Sequence, residues 1–248
     1  MIDAMKRIRW QLLIIFLTGL VVGFLLLIEQ PEPITMQPEA IQGGTYIEAL
    51  IGQPQRFNPV LDYYNDVDRA VNRLIYSGLL KYDDRGLPLA DLAEAWGVSA
   101  DGRTYNVQLR EGIKFHDGEI LTAEDVVFTI ELMREGGDVV PQDLQDFWSE
   151  IEVVQLADTM LQFRLPEPFS PFTDYLSFGI LPKHLLGHLT FDQIKNDPFN
   201  LSPVGSGPYK FDNLIVEDGK IAGVALSINQ AFYTSPAYIE QFIFRYYA

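Results

Sequence analysis

Hydrophobic and polar positions divide the chain into an apolar run, a polar tether and a long segment of short alternating elements. Residues 10–28, WQLLIIFLTGLVVGFLLLI, are nineteen residues without a formal charge. As a helix rising 1.5 Å per residue, such a run is about 28 Å long, close to the hydrocarbon thickness of a bilayer. Lys6, Arg7 and Arg9 precede it and Glu29 and Glu32 follow it, which predicts an N-in, C-out membrane anchor. A cleaved signal peptide is the alternative, although such peptides have a shorter apolar core and a small-x-small cleavage site. Residues 29–43 carry three prolines and little apolar periodicity, the pattern of a tether.

From Gly44 onward the periodicity changes repeatedly. GTYIEAL predicts a short strand, and VDRAVNRLIYSGLL a helix with Val67, Val71, Leu74 and Ile75 on one face. DDRGLP is a turn, and DLAEAWGVSADG a short element ending on Asp-Gly. TYNVQLR alternates Tyr105, Val107 and Leu109, the mark of a half-buried strand. Thr122 and Asp125 then stand three apart, a capping box with Asp in place of Glu, and start a helix over 123–134. Its inward positions are Val126 or Val127, Ile130 and Met133. IEVVQLADTMLQFRL reads as a hairpin about 157–158, and ILPKHLL as a short helix. VGSGPYKFDNLIVEDGKIAGVALSIN is a Gly turn and a second hairpin, and YIEQFIFRYYA a last strand. An apolar strand at the end of the chain leads us to expect a longer protein. No repeat of 20 to 50 residues is visible, which argues against a solenoid or propeller.

Charge narrows the classes. With 18 Lys plus Arg against 34 Asp plus Glu, the formal net charge is −16, unsuited to a nucleic-acid partner. The absence of cysteine removes disulfides, thiolate catalysis and Cys-based metal sites. His116-Asp117, ahead of Gly118, is a candidate chemical pair, but a strand-to-helix turn accounts for it equally well. His184 and His188 are four apart, yet Gly187 lies between them and no H-E-x-x-H pattern is present. GSGP at 205–208 lacks the Lys-Ser/Thr of a phosphate loop, so its glycines read as a tight connection. No Ser-x-x-Lys or Gly-x-Ser-x-Gly motif is present, and no cofactor is expected. With 34 acids, a pair of carboxylates assembled in three dimensions stays open.

One long stretch, SADGRTYNVQLREGIKFHDGEILTAEDVVFTIELM, closely resembles the signature region of the periplasmic family 5 solute-binding proteins, the oligopeptide-, dipeptide- and nickel-binding components of ABC importers. FNP at 57–59, GLLKYD at 78–83, LPLADLAEAW at 87–96, LPKHLL at 181–186 and GSGPYKF at 205–211 follow in family order. NQAFYTSPAYIEQFIF looks like the family's Asn-x-x-Tyr-Trp segment, with Tyr233 at the Trp position.

The resemblance implies an α/β, periplasmic binding protein type II-like fold, two-lobed with an extra domain, of which only the N-terminal portion is represented. It divides the chain into an anchor (1–28), a linker (29–43), a first lobe (44–58 with 150–248) and an extra domain (59–149). It places His116-Asp117 at a junction without catalysis, and Tyr63, Tyr64 and Asn65 nearest the ligand cleft. The implied function is extracytoplasmic capture of an oligopeptide or similar solute for an ABC permease, without enzymatic activity. A nickel or other small-solute receptor and a membrane-anchored sensor are the alternatives. The family's lipid-bearing cysteine is absent, so the helix would hold the protein at the membrane.

Overall fold

The computed structural model describes residues 2–27 and 41–247, in two units divided at residues 40 and 41. The first unit is helix α1 (Ile2–Leu27), whose described apolar side chains at Trp10 and between Leu13 and Phe24 are exposed. Among the described residues no helix is long and apolar enough to cross a membrane. The described side chains fall short of the full apolar run 10–28, so the expected anchor lies partly outside them, as does most of the expected linker 29–43.

The second unit begins with β1 (Thr45–Ile51) and α2 (Asp66–Ile75), then β2 (Leu80–Tyr82) and β3 (Pro88–Ala90). It continues through β4 (Ala93–Val98), β5 (Thr104–Leu109), α3 (Ala123–Arg134) and α4 (Gln142–Glu150). A hairpin of β6 (Glu152–Ala157) and β7 (Met160–Arg164) precedes a 3₁₀ helix, Ser170–Leu176. Short helices α5 (Lys183–Leu186) and α6 (Phe191–Ile194) lead to β8 (Tyr209–Glu217), β9 (Lys220–Ile228) and β10 (Gln241–Tyr247).

These strands build two four-stranded sheets and a small hairpin. One sheet runs β1-β10-β9-β8, with β1 parallel to β10 and the rest antiparallel. The other runs β4-β5-β7-β6 and is wholly antiparallel. In β5, Tyr105, Val107 and Leu109 are buried as the alternation requires, and register places Tyr105 opposite Phe163 and Val107 opposite Leu161. The expected boundary at 149/150 cuts through this sheet, because β7 pairs with β5, which precedes it, and carries β6 at the edge. Apolar register between segments some fifty residues apart governs here, and it outweighs continuity along the chain.

Helix α3 starts where the capping box places it. The Asp125 Oδ2 accepts from the Thr122 backbone N–H at 2.8 Å and from its hydroxyl at 3.3 Å. Its Oδ1 accepts from the Lys183 N–H at 2.9 Å, tying α3 to the start of α5. Val126, Ile130 and Met133 are buried.

The α2 helix stops at Ile75, short of the predicted extent. Tyr76 turns extended (φ −114°, ψ 146°) and its hydroxyl donates to the Phe57 carbonyl at 3.0 Å. The Gly207 N–H then takes the Ile75 carbonyl at 2.8 Å. A Cβ at Gly207 would lie 2.5 Å from the Leu74 oxygen, and one at Gly205 2.1 Å from that of Ile75. The glycines of 205–207 are therefore the close packing of a connection on a helix end, as the sequence suggests.

Candidate functional site

The most chemical-looking pair in the sequence proves to be structural. His116 is turned toward the 205–207 loop: its Nδ1 accepts from the Gly205 N–H at 3.2 Å and its Nε2 donates to the Gly207 carbonyl at 3.0 Å. Its own backbone N–H reaches the Gly205 carbonyl at 2.8 Å. Both ring nitrogens are engaged, and burial pulls the imidazole down to about 4, with the nearby Lys210 acting the same way. The ring is neutral at pH 7 and holds two segments together.

Asp117 faces elsewhere, accepting from His184 Nε2 at 2.8 Å. Burial pushes its carboxyl up, but the bonds from His184 and the Glu119 backbone prevail and hold it below the usual range. His188 lies beyond α5, which ends at Leu186, so the two histidines do not share a helix face. Among the described residues no group of three metal-ligating side chains is assembled.

The three residues expected at the cleft part company. Asn65 caps α2, its Oδ1 accepting from the Val67 and Asp68 N–H groups at 3.0 and 3.2 Å, and its Nδ2 donates to the Gln53 carbonyl. Tyr64 is exposed. Tyr63 alone of the three borders a cavity of about 310 Å³, its hydroxyl 3.3 Å from the Met133 sulfur.

That cavity lies between the 59–76 segment, the helices α3 and α4, and the 3₁₀ helix with the chain after it. Tyr63, Trp148, Tyr175 and Phe178 give it apolar walls, while Asp62, Asn72, Arg69 and Arg73 supply polar groups. The wall is fixed by a packed aromatic cluster. Phe147 stacks on Tyr175 at 4.0 Å between ring centroids, and Trp148 meets Phe172 and Phe178 edge-on. Gly179 permits the closest approach, since a Cβ there would sit 2.7 Å from that of Tyr76.

Asp62 is buried, and its Oδ2 accepts from Asn72 Nδ2 at 2.8 Å. Burial, reinforced by Asp68, lifts its carboxyl to about 6 against the opposing effects of Asn72, Arg69 and Arg73. Sequence reading passed over Asp62 and Asn72, since an acid in a loop and an amide in a helix look like surface residues. The available signal was their position beside Tyr63 and on the face of α2 that carries Val71 and Ile75.

An α/β unit with a parallel edge pairing, a separate antiparallel sheet and a cavity with mixed polar and aromatic walls is similar in fold to solved solute-binding proteins of ABC transporters. The oligopeptide-binding protein AppA from Bacillus subtilis, in complex with a nonapeptide, overlays 84% of this chain and 41% of its own with a TM-score of 0.74 and 28% identity. NikZ from Campylobacter jejuni, in complex with Ni(L-His), covers 85% of this chain and 40% of its own, with a TM-score of 0.67 and 30% identity. In sequence, AppA of Bacillus subtilis (strain 168) is 33% identical over 173 residues, which is 68% of this chain and 32% of that protein. The chain thus spans about a third of that relative's length. The profile of the bacterial extracellular solute-binding proteins, family 5 Middle, matches residues 88–248. The chain belongs to that family, as the motif resemblance implied.

Proposed function

We propose that this chain is part of an extracytoplasmic solute-binding protein that captures an oligopeptide or similar solute and delivers it to an ABC transporter permease. The observation that carries this reading is the overlap with peptide-bound AppA across 84% of the chain. The cavity beside Tyr63 supports it, because aromatic walls with a few polar groups suit a peptide of variable side chains. Capture followed by docking breaks no bond, so the protein acts as a receptor and not as an enzyme.

Within this proposal residues 44–58 and most of 150–248 form a first lobe, and β6 and β7 go with the extra domain of 59–149, whose sheet they share. Residues 10–28 span the membrane and hold the binding region outside it; their length and the basic residues before them support this. Mass measurement of the membrane-extracted mature protein tests the anchor, and a mature N-terminus between residues 29 and 45 would refute it.

A small-solute reading is favoured by one observation, the likeness to NikZ bound to Ni(L-His). Calorimetric titration of the full-length protein with a peptide pool and, separately, with Ni(L-His) distinguishes the two. Peptide binding without nickel-complex binding is expected; the reverse would replace a peptide receptor with a nickel receptor.

A further inference from the structure

We infer that the cavity beside Tyr63 takes a positively charged amine carried on an apolar stem, such as a lysine side chain of the solute, with Asp62 as its counter-ion. This deepens the solute-binding reading above and rests on it. Asp62 is 6% exposed, yet only its Oδ2 is engaged, by Asn72; among the described residues Oδ1 has no hydrogen-bond partner. Asn72, which holds Oδ2, is itself buried, and its own Oδ1 is closed off from the cavity. Asp62 Oδ1 is thus the acceptor in the lining that lacks a donor. A protonated amine offers three donors and no acceptor, and so complements it.

Charge points the same way. Arg69 is held in place, with Nη1 on Asp66 at 2.9 Å and Nη2 on the carbonyls of Asp62 and Tyr63 at 3.2 and 2.5 Å. Arg73 is exposed and makes no ion pair among the described residues. In the lining Asp62 and Asp174 balance Arg69 and Arg73 in number, but Arg69 is committed to Asp66, and Asp62 has no ion-pair partner among the described residues. An anion would meet Asp62 at the buried end. A purely apolar group would leave the Asp62 Oδ1 without a donor. The walls of Tyr63, Trp148, Tyr175 and Phe178 suit methylene groups and present ring faces that attract a cation.

Burial holds Asp62 near 6, so affinity for a cation should decline as pH falls through that value. The groups facing it are Arg69, Arg73 and Asp68 of α2, Tyr63 and Tyr76, and across the cavity Asp174 and Tyr175.

The test is calorimetric titration of the full-length protein with Ala-Lys-Ala, with Ala-norleucine-Ala, and with n-butylamine as competitor. At pH 7.5 the lysine peptide should bind at least tenfold more tightly than the norleucine peptide. Asp62→Asn should abolish that preference while keeping norleucine-peptide affinity within twofold. Tyr175→Leu, across the cavity from the acid, removes a ring face that attracts a cation; it should weaken the lysine peptide severalfold more than the norleucine peptide and serves if Asp62→Asn does not fold. Equal affinities for the two tripeptides without competition by n-butylamine would overturn the amine site and leave the peptide reading standing. Binding of n-butylamine with neither tripeptide bound would uphold the amine site and refute the peptide reading. Failure of all three to bind would refute both.

Discussion

The junction at His116 and the cavity at Asp62 are both partly hidden from solvent and both hold a titratable group, yet they differ in hydrogen bonding. At the junction each ring nitrogen of His116 has a backbone partner in the 205–207 loop. At the cavity one carboxylate oxygen of Asp62 and the amide oxygen of Asn72 have none among the described residues. A satisfied polar group contributes to the fold, whereas an unsatisfied one costs stability that a bound donor can offset. The difference separates a residue that looks chemical in sequence from one that is chemically available in three dimensions.

The largest expected effect breaks the junction. Replacing His116 by Ala strands the Gly205 N–H, while the Gly207 carbonyl keeps its bond from Asn229 Nδ2 at 3.0 Å, and should cost about 3 kcal/mol in urea unfolding at pH 7 through the lost bonds and packing. A loss below about 1 kcal/mol would show that the loop does not depend on the imidazole.

Nearby, Asp125→Ala removes the bonds to the Thr122 and Lys183 N–H groups and should cost about 2 kcal/mol, the bonds being offset by burial of the charge. Thr122→Ala, which removes only the 3.3 Å hydroxyl contact, should cost under about 1 kcal/mol. The reverse order would place the cap on the hydroxyl.

At the cavity the sign should reverse. Burial raises the Asp62 carboxyl from 3.8 to about 6, so the folded state holds its proton more tightly than the unfolded chain. Ionised Asp62 therefore opposes folding above pH 6, and the opposition is relieved as pH falls toward 4. Asp62→Asn should stabilise the protein by about 2 kcal/mol at pH 8 and by almost nothing at pH 4. His116, depressed from 6.5 to about 4, acts oppositely: its contribution is complete above pH 6.5 and is lost as pH falls through that window. Urea midpoints of the wild type, His116→Gln and Asp62→Asn from pH 4 to 8 would therefore diverge in opposite directions, and parallel profiles would contradict both assignments.

The smallest effects concern the expected cleft residues. Asn65→Ala should lower stability by about 1 kcal/mol through loss of the α2 cap, and Tyr64→Ala by less than about 0.5 kcal/mol. Neither should change affinity for Ala-Lys-Ala more than twofold, whereas a tenfold loss on either change would return that residue to the site.

Much of this architecture was legible where the signal is local. The alternation at Tyr105, Val107 and Leu109, the Thr122–Asp125 spacing before α3, and the turns at Asp158 and Asp218-Gly219 each specify a neighbouring element. Pairings of distant segments were not legible: β1 with β10 across nearly two hundred residues, or β5 with β7 across the boundary expected at 149/150. Periodicity gives the face of a strand but not its neighbour. The site was obscured for the same reason. Asp62 and Asn72 share a cavity with Trp148, Tyr175 and Phe178, and nothing within the 59–76 segment announces those distant walls. Motif resemblance supplied the family, and the cavity supplied the acid.

Calorimetric titration of Ala-Lys-Ala into full-length His116→Gln and Asp62→Asn at pH 7.5 tests the contrast between junction and cavity most directly. The glutamine variant should bind within twofold of the wild type although its unfolding midpoint falls, and the asparagine variant should lose at least tenfold in affinity although its midpoint rises. Weakened binding by His116→Gln with unchanged binding by Asp62→Asn would contradict the account and move ligand recognition to the junction.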